Sequence, residues 1–237
     1  MVYLIAMIVA LLLTACDERE APAPVVESNW HALHTHEATH RVKAGETLYA
    51  IAFRYDLDYR QLATMNHVKP PYLLAVAQVL SLKPNGSSLR QSAPTLHPAP
   101  RVLPHPSGSM PAAYARLSGW LWPVRGRIVS SFVPQWGQKG IEISGHKGQF
   151  IRAALGGTVA YAGDGLPGYG NLILLQHNHQ YLSAYGYNAR NLVKVGQRVH
   201  AGQAIAAMGM NPHHRYAVHF EIRKSGQPVN PKYYLPL

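Results

Sequence analysis

Residues 217–222 read Ala-Val-His-Phe-Glu-Ile, and residues 138–143 read Gln-Lys-Gly-Ile-Glu-Ile. Val218–Ile222 patterns as a buried strand, as does the apolar run Leu172–Leu175. Around them lie Gly156-Gly157-Thr158-Val159-Ala160, Gly168-Tyr169-Gly170-Asn171 and Val199-His200-Ala201-Gly202-Gln203. From Ser118 onward, short β-patterned runs alternate with glycine turns, which predicts a mainly-β domain over 118–237.

Upstream the pattern changes. Arg41-Val42-Lys43-Ala44-Gly45-Glu46-Thr47-Leu48 reads as a strand and turn, and Leu48, Ile51, Ala52 and Tyr55 then recur at helical spacing. Asp58 and Gln61 form a capping box for a second helix carrying Leu62 and Met65, ended by Asn66. Val79-Leu80-Ser81-Leu82 supplies a closing strand. The predicted order over 39–84 is β-α-α-β, a small α+β module. Residues 85–117 are rich in Pro, Ser and His without periodicity, as expected of a linker.

The chain has 237 residues, enough for one moderate domain and a small module. Its net charge of +11 comes from 22 basic and 11 acidic side chains. The basic residues are scattered and no nucleic-acid motif accompanies them, so attraction to an anionic envelope is expected, not nucleic-acid binding. Met1–Ala15 is nearly all apolar, yet too short for a comfortable membrane span. It ends in Leu13-Thr14-Ala15-Cys16, which resembles the bacterial lipobox and makes Cys16 the expected lipidation site. Cys16 is the sole cysteine, so no intramolecular disulfide can form. On this reading residues 1–15 are a signal peptide, although no Lys or Arg precedes the apolar run, and 16–38 are a tether.

From Trp120 to Leu237 the chain resembles the LytM, or M23, zinc peptidases, which carry His-x-Gly-Ile-Asp-Ile where this chain has residues 138–143 and His-x-His where it has 217–219. The resemblance maps the three zinc ligands onto Gln138, Glu142 and His219, and the two catalytic histidines onto Tyr187 and Ala217. Catalytic zinc takes three nitrogen or oxygen ligands at roughly 2.0–2.2 Å and leaves a position for water. A glutamine amide is a poor ligand, and the extra methylene of Glu142 displaces its carboxylate by about 1.5 Å against a tolerance of roughly 0.2 Å. Tyrosine, with a reference pKa of about 10, is a poor base at neutral pH. The expectation is a peptidase fold without metal, cofactor or catalytic residues. Two histidine pairs could offer a replacement site. His177 and His179 follow a strand-like run, where an imidazole is a common scaffold feature, and His213-His214 read as a solvent-facing loop or groove rim.

The segment His40–Pro84 resembles LysM modules, with Glu46 in place of the usual Asp and Ala77 in place of the usual Gly. That resemblance implies binding of N-acetylglucosamine-containing peptidoglycan strands at Gly45, Glu46, Thr47 and Leu48, with Tyr72, Leu73 and Leu74 opposite. Taken together, lipobox, LysM and degenerate LytM domain resemble the NlpD-like lipoproteins of Gram-negative envelopes. Those activate periplasmic N-acetylmuramoyl-L-alanine amidases during daughter-cell separation, and the amidase carries its own zinc. The resemblance implies a partner-binding groove at the vacated site, for which Tyr169, Tyr187, His214 and Tyr216 are the expected contacts. It also implies a lipid-anchored periplasmic location. Outer membrane follows from the resemblance, while Asp17 after the cysteine points to the inner membrane. A passive peptidoglycan-binding lipoprotein and an active zinc endopeptidase are the alternative functions.

Overall fold

The computed structural model describes residues 37–83 and 119–236. Cys16, the expected signal and most of the tether, and the linker over 85–117 lie outside the described residues. The first segment follows the β-α-α-β order: β1 (Thr39–Arg41), α1 (Leu48–Arg54), α2 (Tyr59–Met65) and β2 (Val79–Ser81). Thr47 caps α1, its hydroxyl oxygen accepting from the amide of Ala50. Asp58 caps α2 through the amide of Arg60 at 2.8 Å. Asn66 ends α2 and ties it to β2: its amide nitrogen donates to the carbonyls of Leu62 and Ser81, and its oxygen accepts from the Ser81 amide. Ala77 stands at φ 69°, the left-handed conformation that explains why glycine is usual there. Leu48, Ile51, Ala52, Leu62, Ala63 and Leu80 form the core of this module.

The second segment is one antiparallel sheet of ten strands. They are β3 (Ile128–Ser130), β4 (Ile141–Ser144), β5 (Phe150–Arg152), β6 (Gly157–Gly163), β7 (Asn171–Gln176), β8 (Tyr181–Asn191), β9 (Arg198–Val199), β10 (Ala204–Met208), β11 (Ala217–Lys224) and β12 (Gln227–Val229). The main order is β3-β4-β11-β8-β7-β6-β9; β10 pairs with β5 and β8, and β12 with β11. Strand alternation divides the side chains between two faces. Val218, Phe220 and Ile222 of β11, with Ile173 and Leu175 of β7, enter the main core. Leu172 and Leu174 belong to a separate apolar cluster. The unbroken apolar run of β7 thus has a cause: both faces of the strand are covered.

The second cover is the LysM module. Ala50 and Phe53 of α1 are 1% and 2% exposed, yet Phe53 lies outside the module's own core. Both pack with Ala160, Tyr161, Leu166, Tyr169, Leu172, Leu174 and Ala184. Polar contacts rim this seat. The Thr47 hydroxyl donates to the Ala160 carbonyl at 3.0 Å, and Arg54 donates to the Gly165 carbonyl at 2.9 Å. Gln176 of β7 accepts from the Tyr49 hydroxyl and donates to that of Tyr59. At the β11–β12 turn, a Cβ on Gly226 would stand 2.4 Å from the Leu57 carbonyl, so only glycine permits this approach. The sequence reading treats the two modules as beads on a linker; the described residues pack against each other through a shared apolar cluster.

His177 lies just past β7, bonded through Nδ1 to the Gly156 carbonyl and through Nε2 to the Ser183 hydroxyl. Both ring nitrogens of His177 are thus engaged with the scaffold, and His179 is exposed in the following turn. Burial pushes the His177 imidazole down from 6.5 to about 4. The folded state therefore resists a proton that the unfolded chain accepts. The resulting stability is fully present above pH 6.5 and is lost as pH falls toward 4. At about 1.4 kcal/mol per pH unit, the loss is on the order of 3 kcal/mol across that window. Urea unfolding at pH 7 and pH 5 should show this slope, and His177→Gln should flatten it relative to the parent chain.

Candidate functional site

The positions that the zinc ligands would occupy converge where β4 lies beside β11. Glu142 is the register partner of His219, and Ile141 that of Phe220. This approach requires Gly140, where a Cβ would fall 2.4 Å from the Phe220 carbonyl. Gln138 follows a short 3-10 turn, Pro134–Trp136, and bridges back to Val133. Ala217 is buried on β11 and offers no donor. Tyr187 sits on β8 at φ 63°, rare for a bulky residue, where the β7–β8 register shifts. Two backbone bonds hold it: its amide donates to the Tyr169 carbonyl at 2.7 Å and its carbonyl accepts from Gly209 at 2.9 Å. Its ring lies 5.6 Å from that of His219.

The centre of the site is a residue that sequence reasoning did not single out. Glu221, fully buried, receives three donors: the Tyr169 hydroxyl at 2.7 Å, His219 Nε2 at 2.9 Å and Arg223 Nε at 2.8 Å. Burial alone would raise its carboxyl pKa, but Arg223, with His219 and Tyr169, outweighs this and holds the carboxyl well below the usual range. Burial and the Glu221 charge together drive the Tyr169 phenol well above its ordinary value, so Tyr169 stays a neutral donor. Arg223 is 1% exposed and reaches into the LysM module. Its Nη1 donates to the Phe53 carbonyl at 3.0 Å and to Asp56 Oδ1 at 2.7 Å, and its guanidinium lies 3.7 Å from the centre of the Phe53 ring. Lys139 pairs with the other Asp56 oxygen. A chain of contacts therefore runs from His219 through Glu221 and Arg223 to Asp56 and back to the neighbour of Gln138.

This donor set does not fit zinc. Glu142 Oε2 accepts from Asn211 at 2.9 Å, His219 Nε2 donates to Glu221, and Gln138 contributes a neutral amide whose Nε2 is buried without a hydrogen-bond partner. His219 Nδ1 is likewise buried without a partner. Among the described residues no three His, Cys, Asp or Glu side chains stand together as a metal cluster.

Of the four expected groove contacts, the structure places two at the surface and two inside. His214 is exposed and Tyr216 half-buried, whereas Tyr169 is 7% and Tyr187 9% exposed. Tyr169 packs edge-on against Phe53, their ring centres 5.3 Å apart, and so belongs to the seat of the LysM module. Trp136 is 82% exposed beside Gln138. Its only signal in the sequence is an aromatic residue in the Pro-Gln-Trp-Gly turn just ahead of a motif. In the LysM module, Leu73 is 81% exposed and Gly45 is exposed, Leu48 is wholly buried, and Thr47, Tyr72 and Leu74 are half-buried. The Glu46 carboxylate is tied to His40, Arg54 and the Lys43 amide.

The family model for peptidase family M23 matches residues 137–231, and the LysM domain model matches residues 40–83. The chain is 37% identical to the lipoprotein NlpD/LppB homolog of Pseudomonas aeruginosa over 270 aligned residues, covering 98% of this chain and 91% of the relative. It is 36% identical to the murein hydrolase activator NlpD of Escherichia coli, covering 84% of this chain and 68% of the relative. Among solved structures, a zinc-containing peptidase from Vibrio cholerae superimposes with a TM-score of 0.45 at 26% identity, over 47% of this chain and 39% of that one.

Two outcomes follow from the site. Protein purified without chelator should contain far less than one zinc per chain by elemental analysis; a full equivalent lost on mutating His219 would overturn the donor argument. Glu221→Gln leaves the buried Arg223 without its main counter-charge and should cost about 3–5 kcal/mol in urea unfolding. Glu221→Leu with Arg223→Met should cost less than the single change.

Proposed function

The chain belongs to the NlpD/LppB family of lipoproteins, and from that premise we propose that it activates periplasmic N-acetylmuramoyl-L-alanine amidases while holding peptidoglycan strands and a membrane. In this reading Cys16 carries the lipid, and several acyl chains at about 0.8 kcal/mol per buried CH₂ make the anchor effectively permanent. The LysM module takes N-acetylglucosamine-containing glycan at Gly45–Leu48 and the Tyr72–Leu74 loop. The M23-like domain performs no hydrolysis and docks the amidase, which splits septal peptidoglycan with its own metal.

The observation that carries this reading is the chemical fate of the ligand positions. Glu142 is committed to Asn211, Gln138 offers only a neutral amide and Ala217 has no polar side chain, so His219 stands alone with a free ring nitrogen, while the β4–β11 pairing and the Gly140 approach remain. A cleft that keeps its walls without a metal set suits a protein segment better than a scissile bond. The residues available to such a segment are Trp136, His214 and Tyr216, since Tyr169 and Tyr187 are turned inward. Trp136 is the preferred anchor, being large, aromatic and exposed.

Release of dye from labelled peptidoglycan by a purified amidase is the test. Trp136→Ala should weaken amidase binding by about 2 kcal/mol, roughly thirtyfold, with unfolding temperature and glycan binding unchanged, whereas Tyr216→Ala should weaken it alike but also lower the unfolding temperature, because Tyr216 packs on the main core. A LysM-only fragment that stimulates as well as the full chain would overturn the proposal. Full stimulation by both groove variants would do the same.

A further inference from the structure

The LysM module meets the sheet through the side that carries its own ligand turn. Thr47, within the Gly45–Leu48 turn, donates its hydroxyl to Ala160 of β6. Tyr49, two residues further on in α1, donates to Gln176 of β7, and Gln176 holds the Tyr59 hydroxyl as well. The rings of Tyr49 and Tyr59 lie 4.5 Å apart, tilted by 40°, and the ring of Tyr72, in the opposing loop, stands edge-on to both at 6.0 and 5.7 Å. One residue past Tyr49, Ala50 is 1% exposed, and Phe53 on the next turn is 2% exposed, both against β6–β8. The helix end then reaches the vestigial site: Asp56 takes Arg223 and Lys139, and Phe53 lies between the Arg223 guanidinium and the Tyr169 ring.

A ligand seated between the Thr47 turn and the Tyr72 loop must work on the same hydroxyls and rings that the sheet holds. Competition for those groups is what would loosen the contacts at Ala160 and Gln176. We propose that the LysM module is a latch on the M23-like domain, closed by Phe53 and Asp56 over Tyr169, Glu221 and Arg223 and released when glycan occupies the Thr47–Tyr72 edge. Release frees the Asp56 partner of Lys139, next to Gln138, and uncovers Tyr169. Thermodynamic reciprocity fixes the relation: if docking weakens glycan binding by some factor, glycan weakens docking by the same factor. The amidase would then be engaged only where glycan strands are within reach. The output of the latch rests on the activator reading above; the docking itself rests on the contacts just described.

The experiment uses the full chain with Cys16→Ala and fluorophores on cysteines placed at Val76 and Val195, which are 67% and 53% exposed on the two modules. Adding a soluble oligomer of N-acetylglucosamine should lower energy transfer between the labels and raise stimulation of the amidase by about fivefold or more, within the usual range of coupling. Phe53→Ser should give low transfer and high stimulation without the oligomer. Phe53 lies outside the module's own core, so the module keeps its packing. Ala50→Glu should act alike if Phe53→Ser proves poorly folded. Transfer unchanged at saturating oligomer overturns the latch. So do released variants that stimulate no better than the parent chain. If neither parent nor variants stimulate any amidase, the activator reading fails, and the transfer measurement alone still decides whether glycan opens the docked state.

Discussion

The ion pair between Glu221 and Arg223 is the constraint around which the rest of the structure is arranged. Removing both charges from water is expensive, and their attraction repays this only if every remaining donor and acceptor is matched. Glu221 is matched by Tyr169, His219 and Arg223. Arg223 cannot be matched by the sheet alone: it takes the Phe53 carbonyl, the Asp56 carboxylate and the face of the Phe53 ring from the LysM module. The sheet thus buries a strand with an apolar face toward one core and a charged face toward another. The second face is covered by a separate module.

The same network explains what became of the peptidase site. An imidazole that ligates a metal needs its other nitrogen oriented by a neighbour. Here His219 keeps such an orienting bond, from Nε2 to Glu221, while Gln138 and Ala217 stand at the positions the resemblance gives to metal chemistry. Tyr187, bulged at positive φ, places its ring beside that of His219. The polar groups that remain here, Glu142, His219 and Glu221, are bonded to protein partners.

Local features of the chain were readable because their causes are local. Asp58 caps and Asn66 ends the second helix through the Arg60 amide and the Leu62 carbonyl, two and four residues away. The apolar run at Leu172–Leu175 announced a buried strand, although not that two different clusters cover its faces. The docking of the modules was illegible for the opposite reason. Thr47 with Ala160, Tyr49 with Gln176 and Phe53 with Arg223 are each separated by more than a hundred positions, and each is a single residue with no motif. Phe53 could have been noticed as the one large apolar residue of its helix outside the Leu48–Ile51–Tyr55 face. Glu221 was hidden inside a strand pattern that alternates correctly whatever the polar residue does. Trp136 lay in a turn, where no periodicity flags a side chain.

The two halves of this interface belong to one chain, joined through residues 84–118. Their association is therefore unimolecular. Its equilibrium does not vary with the number of copies present, as it would for two separate proteins, and dilution cannot part them. Only a competitor for one of the surfaces, or a change in the groups that meet there, shifts the balance. A protein held this way reports on what it touches and is indifferent to its own abundance.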